Sequence, residues 1–108
     1  METEYIIVLT AAPKEDEARK LADALIEKRL AACVQIESIE SVYRWKGEIE
    51  SGPETRLTIK TRRALLAEVE ETIKSALSET TPEILAVPVA GGSDDYLDWL
   101  ESSTDGRS

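Results

Sequence analysis

A few groups of side chains in this chain could do chemistry, and the residue that most often does is missing. Cys33 is the single cysteine, and its thiolate would be a soft donor suited to a cuprous ion. Lys60 and Glu83 pair a cation with a carboxylate at strand ends. With Tyr43 they are the residues to place around any cleft, where Glu83 could hold a metal ion or all three a small charged ligand. The alternative for Lys60 and Glu83 is a structural ion pair that fixes how subunits register. Glu48, Glu50 and Glu54 follow one another along a hairpin. Oxygen donors attract hard divalent ions, but the spacing matches no calcium loop, and a solvated acidic face accounts for it. The chain contains no histidine. The commonest general base and metal ligand is therefore absent, which excludes a Ser-His-Asp triad, a Cys-His dyad and a histidine zinc site. No phosphate-binding glycine loop, nucleophile elbow or dinucleotide fingerprint occurs. Binding rather than catalysis is the expectation.

The 108 residues fit one domain, expected over 1–101, with 102–108 as a flexible tail. The net charge of −9, with no basic cluster larger than Arg62-Arg63, argues against nucleic acid and against anionic membrane surfaces. Those two arginines could bind an anion or simply be surface cations. A lone cysteine allows no internal disulfide, and the N-terminal apolar run lacks a basic flank and is too short to span a bilayer. A soluble cytoplasmic protein is the expectation.

The elements that must position these residues alternate in type. Residues 5–11 are a short β-branched run, read as a buried strand. Pro13 and the acids Glu15, Asp16 and Glu17 open an amphipathic helix over 14–31, with Ala18, Leu21, Ala22, Leu25 and Ile26 on one face. Glu15 should pair with Arg19 and Asp16 with Lys20. Residues 32–50 alternate as a strand, but the apolar parity changes between Ile36 and Ile39, which predicts a bulge near Glu37-Ser38. Lys46-Gly47 reads as a turn and Ser51-Gly52-Pro53 as a second break. Residues 54–61 alternate again, with Leu57 and Ile59 inward. A helix over 62–78 carries Leu66, Val69, Ile73 and Leu77, with Glu70 set to pair with Lys74. Residues 83–90 form a last strand, with Pro88 at an edge. Ser93 then caps a short helix in which Tyr96 and Trp99 share a face.

Strand, helix, strand, strand, helix, strand is the ferredoxin-like βαββαβ pattern, here with an extra C-terminal helix. It gives an α+β sandwich with a mostly antiparallel sheet. Helices on one face leave the other face to be covered, which oligomerisation can do.

The stretches "LAACVQI" (30–36), "SVYRWKGEIE" (41–50), "LTIKTRR" (57–63), "TPEILAVPV" (81–89) and "YLDWL" (96–100) occur in one order and spacing. Together they resemble the CutA family of divalent-cation tolerance proteins, from about Ile6 to Leu100. The resemblance implies a tight homotrimer, similar in architecture to PII signalling proteins and linked to copper and other divalent-metal tolerance. It further implies that the central hairpin pairs between subunits, so that Tyr43, Trp45, Ile49 and Trp99 become interface residues. Lys60 and Glu83 would then lie near an inter-subunit cleft. Cys33 or Glu83 would be the metal donors, copper the expected ion, and folding would not require it. Alternatively Cys33 is an inert core residue. Where family members often carry His-Pro-Tyr, this chain has "SALSETTPE" (75–83), so a histidine site is not carried over. That departure leaves room for an alternative: a PII-like trimeric signalling or scaffold module that binds a metabolite or partner protein.

Overall fold

The computed structural model describes residues 4–104. Strand β1 (Tyr5–Ala12) leads into helix α1 (Glu15–Glu27), and strands β2 (Cys33–Trp45) and β3 (Glu48–Arg62) form a long hairpin. A short 3-10 turn (Arg63–Leu65) leads into α2 (Leu66–Ala76), followed by β4 (Leu85–Pro88) and α3 (Asp94–Ser103). The sheet order is β2-β3-β1-β4 and every neighbouring pair is antiparallel. This is the split βαβ arrangement expected from the alternation of elements.

Side-chain parity sorts the sheet into two faces. Ile6, Val8, Leu57 and Ile59 are fully buried beneath α1 and α2, which contribute Ala18, Leu21, Leu25, Val69 and Ile73. Core residues of this size contribute about 1.5–3 kcal/mol each on burial, so this layer dominates the stability. The opposite face carries Tyr5, Ile7, Leu9, Lys60 and Arg62, and α3 lies against one end of it. The Tyr5 hydroxyl donates to Glu101 Oε1 at 3.0 Å, and Lys60 Nζ sits 5.5 Å from the Tyr96 ring centroid. Leu85 and Val87 on β4 pair with Leu9 and Ile7 on that face and stay exposed.

Arg62 is not a surface cation. Its side chain is largely buried. Its Nε donates to Thr104 Oγ1 and its Nη2 to the Thr104 carbonyl, each at 2.8 Å, while Nη1 reaches Glu4 at 3.4 Å. The guanidinium thus takes up carbonyl capacity that the end of α3 leaves unsatisfied. The same contacts correct the expected tail. Ser102 and Ser103 belong to α3 and Thr104 is buried, while 105–108 lie outside the described residues.

Three further expectations change. The β2–β3 register runs unbroken from Cys33↔Lys60 to Trp45↔Glu48, with no bulge at Glu37-Ser38 and no break at Ser51-Gly52-Pro53. Proline is tolerated there because β1 joins β3 only from Thr55 onward, so Pro53 has an open edge beside it. Both helices are shorter than expected: α1 stops at Glu27, where Arg29 takes a positive φ of 58°, and α2 starts after the 3-10 turn. Arg19 pairs with Asp23 at 3.0 Å instead of Glu15, whereas Glu70–Lys74 forms as expected at 3.0 Å. Ser93 caps α3, its hydroxyl accepting from the Tyr96 N–H.

Candidate functional site

Beyond Thr55 the β2–β3 hairpin leaves the sheet as a two-stranded arm, residues 39–54, closed by Lys46 and Gly47. Both turn residues have positive φ, 51° and 82°, the type I′ geometry that matches strand twist. The arm has no third strand, and apolar side chains stay exposed on both of its faces. Ile39, Tyr43 and Trp45 project on one face, Val42 and Ile49 on the other. Val42 and Ile49 are 71% and 70% exposed, and Tyr43 and Trp45 are 49% and 44% exposed. Lys46 Nζ lies 5.9 Å from the Trp45 ring.

Beside the arm, from Glu54 at its base to Trp45 next to the turn, is an open cleft of about 540 Å³. Tyr43 and Trp45 line it from β2, Glu54 from β3, and Glu79, Thr80, Thr81 and Glu83 from the segment between α2 and β4. No lysine or arginine is among its lining residues. Burial pushes the Glu79 carboxyl above the ordinary carboxylate range. The charges of Glu54 and Glu17, a hydrogen bond to Glu54 and the charge of Glu83 act in the same direction. Glu54 and Glu79 were the harder residues to find. Glu54 was read only as part of a solvated acidic run, and Glu79 sits in a loop whose path the sequence does not signal.

The structure brings Tyr43 and Glu83 together in this cleft and separates Lys60 from both. Lys60 is opposite Cys33, and Tyr43 is ten positions further along β2. At about 3.3 Å per residue that is some 33 Å along the strand. Lys60 Nζ instead meets the Tyr96 hydroxyl at 3.5 Å. No Lys60–Glu83 ion pair forms within one chain among the described residues. Cys33 is a free, half-buried thiol rather than a sealed core residue. Trp99 is exposed and packs on Tyr96 with ring centroids 5.3 Å apart. Among the described residues, no group of three or more Cys, Asp or Glu side chains is gathered to hold a metal ion. The chain therefore carries two separate groups of polar and aromatic side chains, an acidic one with Tyr43 and Trp45 beside the arm and a Cys33–Lys60–Tyr96 one on the face that carries α3.

The model of the CutA1 divalent ion tolerance protein family matches residues 6–103. A divalent-cation tolerance protein CutA of Thermus thermophilus is 43% identical over 99 residues, 91% of this chain and 96% of its own. The chloroplastic CutA of Arabidopsis thaliana is also 43% identical, but this chain spans only 55% of its length. A solved structure from Archaeoglobus fulgidus, described as a periplasmic divalent cation tolerance protein, superposes with a TM-score of 0.91 at 39% identity. It covers 93% of this chain and 98% of that one. These relatives give no support to the signalling-module alternative. No helix among the described residues is long and apolar enough to cross a membrane. With the family model covering nearly the whole fold, the chain belongs to the CutA1 divalent ion tolerance protein family.

Proposed function

We propose that this protein confers tolerance to divalent cations by binding, not by catalysis, as a cytoplasmic homotrimer with copper as its principal ion. The observation that supports this best is the arm. Two strands with apolar side chains on both faces cannot bury them alone, and an isolated ribbon of that kind is marginal in water. Laid across a second copy, the arm gains a surface to pack on, with Tyr43, Trp45 and Ile49 as anchors and Trp99 near the contact. The same assembly joins one subunit's Tyr43–Glu83 half-site to another's Cys33–Lys60 half-site, which gives a cleft that no single chain possesses. Cys33 supplies soft sulfur and Glu83 a carboxylate oxygen, a donor pair that suits copper better than calcium or magnesium. In this reading the ion is cargo rather than a folding cofactor, since neither Cys33 nor Glu83 belongs to the buried apolar core.

Calorimetric titration of wild type, Cys33→Ala and Glu83→Gln with Cu(I), Cu(II) and Zn(II) tests the reading. Saturable copper binding that Cys33→Ala abolishes and Glu83→Gln weakens is the expected result. Absence of saturable binding to the wild-type protein would overturn it.

A further inference from the structure

Alternate residues of β2 put one row of side chains on one face of the arm: Ser41, Tyr43 and Trp45. Glu54 stands at the head of the row, because it pairs with Ile39, which shares that face. From Ile39 to Trp45 the row advances six residues, about 20 Å at about 3.3 Å each. Ser41, Tyr43, Trp45 and Glu54 all line the cleft beside the arm, and the segment between α2 and β4 adds Glu79 and Glu83. The cleft is thus a trough that follows the arm. Its volume of about 540 Å³ lies within the range of small-molecule sites, about 300–1,000 Å³.

The charge in this trough is one-sided. Among the described residues, ion pairs join Arg19 to Asp23, Arg56 to Glu37, Arg62 to Glu4 and Lys74 to Glu70, and none takes in Glu54, Glu79 or Glu83. No lysine or arginine lines the trough. The three carboxylates are also spread along it. Among the described residues, no three acidic side chains are gathered to hold a metal ion. A hard divalent ion therefore finds too few oxygens within one chain, whereas a ligand with several positive charges along its length meets the carboxylates in turn. The rings between them suit the same ligand. Aromatic faces attract ammonium groups within about 6 Å, and the chain's own Lys46 Nζ already lies 5.9 Å from the Trp45 ring centroid. We propose that the trough binds a linear aliphatic polyamine, its ammonium groups on Glu54, Glu79 and Glu83 and its methylenes along Tyr43 and Trp45. Relief of unbalanced negative charge favours this binding. The Glu79 carboxyl, raised first by burial and then by the charges of Glu54, Glu17 and Glu83, reports that imbalance. The polyamine would occupy the cleft of the proposed metal role but needs neither Cys33 nor copper, so the two readings stand or fall separately.

Calorimetric titration of the intact, metal-free protein with spermine at low salt tests the proposal, with putrescine and Mg²⁺ as the short and the compact cation. Saturable binding of one spermine per chain is expected, with weaker binding of putrescine and no displacement by Mg²⁺ at matched charge. Glu54→Gln and Glu79→Gln should each weaken spermine binding about two- to fivefold. Glu68 and Glu71 border a separate groove between α1 and α2, so the double variant Glu68→Gln/Glu71→Gln removes charge elsewhere and should bind as wild type does. Absence of saturable spermine binding, as when a neighbouring copy fills the trough, would overturn the proposal. So would an equal loss in the Glu68→Gln/Glu71→Gln control or displacement by Mg²⁺ at matched charge, either of which would mark a diffuse response to net charge.

Discussion

Cys33 and Lys60 stand directly opposite each other on β2 and β3, sharing the sheet face that carries α3. Opposed residues in an antiparallel pair have Cβ atoms about 4.5–5.5 Å apart, so a cation borders the only thiol.

That neighbour disfavours a bound metal cation. A unit charge near a partly exposed site is worth about 1 kcal/mol, or roughly fivefold in affinity. Lys60→Met should therefore tighten cuprous binding by about that factor, measured by competition with a chromogenic chelator. Equal affinity in the two proteins would show that the ammonium, drawn toward Tyr96, does not act on the thiol.

Thr10 is fully buried on β1, and its hydroxyl finds no partner among the described residues. An unsatisfied buried polar group costs about 1–3 kcal/mol, and valine has nearly the same shape. Thr10→Val should raise stability by about 1 kcal/mol in denaturant unfolding. A loss of stability would mean that the hydroxyl is bonded in solution.

Arg62 holds the end of α3 through two charge-assisted hydrogen bonds to Thr104. Replacement by methionine keeps the apolar stem and leaves those acceptors unpaired, so Arg62→Met should cost about 2–3 kcal/mol. The loss should appear first as faster amide exchange across 94–104. Unchanged exchange there would show that the helix is held by Leu100 and its neighbours alone.

Much of the fold was legible in local pattern. Leu57 and Ile59 alternate inward as read, the stripe Ala18–Leu21–Ala22–Leu25 is the buried face of α1, and Ser93 caps α3. The errors in the hairpin share one physical reason. Parity reports register only where one face of a strand is buried. Past Thr55 neither face is, so Ile36, opposite Leu57, and Ile39, opposite Glu54, could be apolar on opposite faces without any bulge between them. Gly52 and Pro53 read as a break because an inner strand would reject proline, whereas an open edge accepts it. The residues set around a cleft do not all come together. Tyr43 and Glu83 line one cleft, but Lys60 was grouped with them although the ladder holds it about 33 Å from Tyr43 along the strand. Glu79 was missed because its importance lies in the carboxylates around it, and these come from three separate elements.

The central claim is that the arm pairs with other copies of this chain, and sedimentation of wild type and Trp45→Ala at low micromolar concentration tests it most directly. A buried aromatic anchor contributes about 2 kcal/mol or more to an interface. The account predicts a wild-type species of trimer mass and dissociation in Trp45→Ala, with the subunit fold retained by circular dichroism. A wild-type protein that sediments as a monomer, or a Trp45→Ala variant that stays as associated as wild type, would contradict it.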